Sequence, residues 1–153
     1  MLHYIVRAYL LNTQNQILLI KHKNNQPRVL PGGHVEEWES LTSALKRELN
    51  EELGLTGTEI LGMKNRTNQN GTMMKPTPIS IHESQYEKNG TMSHRLEFWY
   101  FVRTELKEIK INTEVAEAKR FDISQILSLS TNNEIFQCTK DVLEQNEDLL
   151  ELL

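Results

Sequence analysis

A single cysteine, Cys138, serves all 153 residues, so no internal disulfide can brace the fold and a reducing, cytoplasmic setting is expected. Long apolar runs are missing too. Ile17 to Ile20 and Phe98 to Val102 fall far short of the ~20 residues that span a bilayer. Met1-Leu2-His3-Tyr4 has no basic segment leading into an apolar one, so neither secretion nor membrane insertion is expected. Basic charge is scarce: Lys plus Arg number 17 against 21 Asp plus Glu. A chain without a basic field does not neutralise a run of phosphates, which argues against a module for extended nucleic acid. Internal repeats and low-complexity stretches are also lacking.

What is present is the composition of an ordinary globular domain, 38% hydrophobic and 25% charged. A chain of this length buries roughly 70% of the surface its unfolded form exposes, enough to fold without a structural metal. One domain over residues 1–153 is expected. Its charge is uneven: Glu36 to Glu52 holds six glutamates against Lys46 and Arg47, while the remainder is balanced. That one short segment concentrates negative charge calls for an explanation.

Hydrophobic alternation predicts a strand over 2–11, a turn at Thr13 to Gln16, and a buried strand at Ile17 to Lys21. A polar loop follows, then an extended Val29-Leu30 stopped by Pro31-Gly32-Gly33. Ser40 suits an N-cap, Leu41, Leu45, Leu49 and Leu53 recur every fourth residue, and Gly54 followed by Leu55 suits a left-handed C-terminal cap, so a helix is predicted between them. Further strands are expected at Glu59 to Met63, Pro78 to Glu83 and Arg95 to Arg103. Residues 65 to 75 read as an exposed loop. Short helices are expected at Ser124 to Leu129 and from about Lys140. In Arg95 to Arg103, Leu96, Phe98, Tyr100 and Val102 share one face while Trp99 and Phe101 share the other, the pattern of a sheet covered on both sides.

On a helical wheel at about 100° per residue, the leucines fill one arc and Arg47, Glu48, Glu51 and Glu52 an adjoining one, with Glu48 and Glu52 at its apolar border. Like charges at these spacings destabilise a helix by roughly 0.2–0.5 kcal/mol per pair, and glutamates near its C-terminus oppose the macrodipole. A bound divalent cation offsets both. Oxygen-only ligands favour Mg²⁺, Mn²⁺ or Ca²⁺ over zinc. A solvated acidic face is the plain alternative, but the preceding Pro31-Gly32-Gly33 turn lets backbone approach a ligand beside the same carboxylates.

Gly33, five residues, Glu39, seven residues, then Arg47-Glu48-Leu49-Asn50-Glu51-Glu52-Leu53-Gly54-Leu55 resembles the complete Nudix box. Trp38 departs from the many members that have glycine just before the first box glutamate, at a position the signature leaves variable. The resemblance implies an α/β/α sandwich with a mixed β-sheet. It also implies Mg²⁺-dependent hydrolysis, with Mn²⁺ a substitute, of the diphosphate linkage in a nucleoside diphosphate joined to another group. By position it makes Glu51 and Glu52 the principal metal ligands, with the Gly32 carbonyl as a backbone ligand and Glu48 a further ligand or the general base. Arg47 is expected to orient the glutamates, and Glu39 to stabilise the junction between loop and helix. Family members often add a downstream acid, for which Glu117 or Glu114 is available.

Arg7, Arg95 and Glu97 sit on strands with apolar neighbours, where they line a pocket or surface at strand ends. Arg7, His34, Trp38 and Glu97 are the substrate-binding candidates; for Trp38 the choices are stacking on a base or packing on its own loop. His82 and His94 are further candidates for substrate contact, and Cys138 is expected to pack. The expected substrate is a small nucleotide, a nucleoside triphosphate first, with nucleoside diphosphate sugars and dinucleoside polyphosphates next. The rival reading is a catalytically weak Nudix domain serving as a nucleotide sensor or interaction module. A calcium-binding structural helix lacks the spaced ligands of a calcium loop. Oligomeric state is open, since the C-terminal leucines suit packing within or between subunits.

Overall fold

The computed structural model describes every residue except 63–65, 68, 69, 106 and 107, with residues 66 and 67 described by their backbone alone. Strand β1 (Leu2–Leu11) turns through Asn12, whose side-chain oxygen accepts from the Gln14 and Gln16 amides at 2.9 Å each, into β2 (Ile17–His22). The short β3 (Gly32–His34) lies antiparallel to the first half of β1, with Arg7 opposite Gly32. Helix α1 (Leu41–Leu53) begins where Ser40 Oγ accepts from the Ser43 amide at 3.1 Å. It ends at Gly54, whose φ of 67° lies in the left-handed region where a side chain costs roughly 1–2 kcal/mol.

After α1 come β4 (Glu59–Ile60), a two-stranded ribbon of β5 (Arg66–Thr67) and β6 (Met73–Met74), and the long hairpin of β7 (Ser80–Lys88) and β8 (Thr91–Arg103). Strand β9 (Val115–Phe121) and helices α2 (Ile123–Ser128), α3 (Gln137–Gln145) and α4 (Glu147–Glu151) complete the chain. The sheet runs β4-β8-β1-β2-β9, with β1 and β8 parallel over ten residue pairs, β3 added to β1 and β7 added to β8.

Side-chain alternation splits the core in two. Val6, Ala8, Leu10, Tyr100 and Val102 face Leu45, Leu49 and Leu53 of α1. Tyr9, Leu11, Trp99 and Phe101 face Ile126, Val142, Leu143 and Leu150 of the later helices. Helices therefore cover both faces of one mixed sheet, the α/β/α class expected.

Several boundaries differ from the sequence reading. The strands expected at 78–83 and 95–103 extend to 80–88 and 91–103 because Asn89-Gly90 forms a two-residue hairpin turn with positive φ at both positions. The described residues of the 65–75 stretch include the β5–β6 ribbon, with 65, 68 and 69 outside the described residues; the strand expected at 59–63 ends at Ile60, and Met63 lies outside the described residues. Strand β9 lies beyond the strands that the sequence pattern predicts. Its apolar residues do not alternate, since Val115 and Ala118 join the α1 side of the core and Phe121 the other, with Glu117, Lys119 and Arg120 among them. The C-terminal helix begins at Gln137 and breaks at Asn146.

Candidate active site

The two glycines bring β3 against α1. A Cβ on Gly32 would lie 1.9 Å from the Val6 carbonyl oxygen, and one on Gly33 would lie 2.5 Å from the Glu48 carboxyl carbon. Only bare backbone fits between sheet and helix there. The approach leaves the Gly32 amide donating to Glu52 Oε1 at 2.8 Å, a contact the sequence did not disclose.

Arg47 holds the rest of the acidic cluster. Its Nε and Nη2 donate to the two oxygens of Glu39 at 2.7 and 3.0 Å, Nη1 donates to Glu48 Oε1 at 2.9 Å and Glu51 Oε2 at 3.1 Å, and Nη2 reaches the His34 carbonyl at 2.8 Å. One guanidinium thus ties loop to helix and fixes two of the three helix carboxylates. Its hydrogen bond holds the Glu39 carboxyl below the ordinary range, and the Glu39 bond in turn raises the Arg47 pKa against the opposing effect of burial. Glu39 also accepts from the Glu36 amide at 3.0 Å, which tightens the turn before α1.

Glu52 is only 4% exposed. Burial pushes its carboxyl up to about 7; the Gly32 amide opposes that rise, the Glu48 charge adds to it, and Arg7 opposes it again. Burial raises Glu48 as well, against the hydrogen bond and charge of Arg47. Glu51 stands at the exposed edge of the cluster.

Glu48, Glu51 and Glu52 line a cavity of about 340 Å³ together with Gly32, Gly33, Arg7, His34 and Arg95. Asn112 and Glu114 close one side. The loop that carries them is bound to the end of α1, since the Lys110 amide donates to Leu53 O at 2.9 Å and the Asn112 amide to Glu52 O at 3.2 Å. Asn112 Oδ1 then accepts from the Glu114 and Val115 amides. A second cavity of about 190 Å³ lies toward α3, walled by Leu30, Trp99, Phe136 and Thr139, and shares Arg7 and Arg95 with the first.

Not every candidate falls where sequence placed it. Glu117 lies away from the acidic cavity. Strand alternation turns it, with Lys119 and Phe121, to the face opposite α1, where Arg28 Nη2 donates to its two oxygens at 3.1 and 3.2 Å. Of the two downstream acids, Glu114 lines the cavity. Trp38 neither packs on its loop nor borders either cavity. It is 96% exposed with φ of 69°, the conformation that suits the glycine common at this position.

Glu97 lines the second cavity, yet its oxygens accept from Arg7 Nε at 3.3 Å, Arg7 Nη2 at 3.5 Å and Trp99 Nε1 at 2.9 Å. Burial alone would raise its carboxyl, but the Arg7 charge and these donors together hold it below the ordinary range. It acts as the anchor of Arg7 and Trp99. Arg7 also donates to the Leu30 carbonyl at 3.1 Å. His34 lines the first cavity with its ring edge-on to His3, and burial lowers its pKa. His82 stacks on Trp99 at 4.1 Å and pairs with Ser80 Oγ, bordering neither cavity. Cys138 sits at the rim of the second cavity rather than in the core. His22, Asn112 and Glu36 also border the first cavity; only the Asn112-x-Glu114 turn pattern could have hinted at any of them.

Among the described residues, no three acidic, histidine or cysteine side chains already converge as a metal-holding group. Each carboxylate is turned to its own partner, Glu52 to the Gly32 amide and Glu48 and Glu51 to Arg47. The donor set still fits a hard divalent cation. It is all oxygen, and two of its carboxyls are pushed upward by burial with further rise from like charge beside them, a penalty that a bound cation reverses.

The Nudix domain family model matches residues 1–142, and the chain belongs to that family. Its class is the Nudix-type pyrophosphohydrolase. Among solved structures it is similar to a NUDIX-family hydrolase from Clostridium perfringens, at 22% identity and TM-score 0.74 over 98% of this chain and 97% of that one. It is similar also to a MutT protein from Methanosarcina mazei Go1, at 20% identity and TM-score 0.63 over 97% and 94% of the two chains. A third is the Caenorhabditis elegans Ap4A hydrolase, at 13% identity and TM-score 0.67 over 99% of each chain. These likenesses establish the shared fold. No curated protein matches the chain.

Proposed function

We propose that this protein hydrolyses the diphosphate linkage of a nucleoside triphosphate or related small nucleotide, with Mg²⁺, or Mn²⁺ in its place, held by Glu48, Glu51, Glu52 and the Gly32 carbonyl. The observation that carries this reading is a cavity lined by Gly32, Gly33, Glu48, Glu51 and Glu52 together with Arg7 and Arg95, two arginines that also line a second, partly apolar cavity. Phosphates suit the first and an organic group the second. A divalent cation supplies neutralisation of phosphate charge, polarisation of the attacked phosphorus and a more acidic water.

The protein's own groups do the positioning. Arg47 holds Glu48 and Glu51 from behind and does not border the cavity, so it is a positioning residue. Glu48 Oε1 is occupied by Arg47, which leaves Oε2 either to hold the cation or to accept the proton of the attacking water. Glu52, clamped by the Gly32 amide, supplies buried negative charge to the cavity. Glu114 is the downstream acid of this site. Arg7, braced by Glu97 and the Leu30 carbonyl, presents fixed positive charge to phosphate. No described helix is long and apolar enough to cross a membrane; the single free cysteine supports a cytoplasmic setting for the domain.

Phosphate release from a panel of nucleoside triphosphates, nucleoside diphosphate sugars and dinucleoside polyphosphates tests the proposal. Turnover that needs Mg²⁺ and stops in excess chelator is expected. Nucleotide binding without turnover of any panel member would overturn it in favour of a sensor.

A further inference from the structure

The arginines of this chain differ in how well their donors are met. Arg7, Arg47 and Arg103 each donate at least three hydrogen bonds. Arg95 does not. Among the described residues its Nε is buried without a partner, as is Nη1 of Arg28, whose Nη2 is however held by Glu117; Arg95 Nη1 lies 3.9 Å from Glu97 Oε1, and its guanidinium sits over the Tyr86 ring at 5.1 Å. A buried donor left unmet costs about 1–3 kcal/mol, and a guanidinium offers a planar fork suited to phosphate oxygens.

Its position makes the vacancy informative. Arg95 is one of two residues, with Arg7, that border both cavities. Arg7 is already committed to Glu97 and the Leu30 carbonyl. Glu97, although close, shares its charge among Arg7 and Trp99 and does not complete an ion pair with Arg95 at hydrogen-bonding distance. The side chain is 35% exposed, so a solute can reach the guanidinium although its Nε is itself buried.

We propose that Arg95 binds the phosphate at the junction of the two cavities, the one that carries the organic group. This rests on the functional reading above. It assigns the acidic cavity to the outer phosphates and the cavity beside Trp99 to the organic group. Inorganic pyrophosphate, which has nothing for the second cavity, then gains little from Arg95.

The test measures binding as well as turnover. Calorimetric titration of the full chain in chelator uses the common ribonucleoside 5′-monophosphates, the matching nucleosides and inorganic pyrophosphate, with the parent, Arg95→Gln and Arg95→Lys. Charge-assisted hydrogen bonds are worth about 1.5–3 kcal/mol, so Arg95→Gln should weaken the best monophosphate by roughly 10- to 100-fold. The nucleoside should bind both proteins alike, and Arg95→Lys, which keeps the charge without the fork, should fall between. KM for the best nucleotide substrate should rise by a similar factor, with kcat changed less.

Equal monophosphate affinity in parent and Arg95→Gln overturns the proposal. So does a parent that binds monophosphate no tighter than nucleoside, or a variant that loses nucleoside and monophosphate equally along with melting temperature, which would make Arg95 a structural partner of Tyr86. Should the parent hydrolyse no diphosphate-linked nucleotide while Arg95 still governs monophosphate binding, the hydrolytic reading falls and the phosphate site stands.

Discussion

Glu52 shows how one residue serves opposite demands. It is buried against the Gly32 amide, and burial raises its carboxyl from an ordinary 4.5 to about 7. The folded chain therefore holds that proton more tightly than the unfolded chain. Without a cation, stability is highest below pH 4.5 as far as this group is concerned and falls as pH rises toward 7, by up to about 3 kcal/mol once fully ionised. Glu52→Gln should remove this slope. Denaturant midpoints in chelator at pH 5 and pH 8 check it; a parent and variant with the same pH dependence would contradict the assignment. In the presence of Mg²⁺ the same substitution should lower kcat by several orders of magnitude with less effect on affinity.

Trp38 invites a second test at the same scale. Its left-handed backbone, at φ of 69°, costs roughly 1–2 kcal/mol that no packing recovers, because the indole stands in solvent. Trp38→Gly should raise the melting temperature by about 2–8 °C, less whatever glycine's own backbone freedom takes back. Trp38→Ala keeps a Cβ and should gain little. KM for nucleotides should not change in either, since Trp38 borders neither cavity; a large base-dependent rise would restore the stacking reading.

Among the elements, α1 carries both core and chemistry on adjoining arcs. Leu45, Leu49 and Leu53 are fully buried, so the acidic arc is held in place by packing on the opposite side rather than by attraction within itself. The end of the helix matters as much. Gly54 forms the left-handed cap, donating to Asn50 O at 2.8 Å, and the backbone of residues 110–112 bonds to Leu53 and Glu52 just before it. A Cβ at Gly54 would meet the Lys110 Cβ at 3.0 Å. Gly54→Ala should cost about 1–2 kcal/mol from the left-handed conformation alone. It should also lower turnover, because the loop that delivers Glu114 rests on this cap. Unfolding curves beside kcat separate the two effects; unchanged stability would show that the cap geometry is not required.

For the whole molecule, the site and the fold draw on different interactions. Two apolar layers on either side of one sheet hold the chain, and neither uses the acidic cluster. Excess chelator should therefore abolish hydrolysis while far-ultraviolet circular dichroism stays native. Added Mg²⁺ should raise the melting temperature in proportion to the logarithm of its concentration above Kd, and Glu52→Gln should blunt that rise. Unfolding on chelation would give the metal a structural role instead.

How far this could be read from sequence follows the range of the interactions. Helix α1, with its Ser40 and Gly54 caps, its leucine stripe and its acidic arc, depends on neighbours within a few positions, and all of it was legible. The central strands, apolar on both faces, likewise announced a sheet covered on two sides. Strand β9 escaped because its bulge places Val115 and Ala118 on one face and Phe121 on the other, and charged residues interrupt any period of two. Tertiary structure decided what depends on distant register. Strand alternation after the bulge between Lys21 and His22 sends Glu117 to Arg28 and leaves Glu114 at the cavity. The pairing of β1 with β8 sets Arg7 beside Glu97 and leaves Arg95 unmet between two cavities. Local spacing determines which side chains share a helix face, but only the packed sheet determines which charges finally meet, because a Coulomb or hydrogen-bond partner is chosen by a few ångströms that no sequence interval encodes.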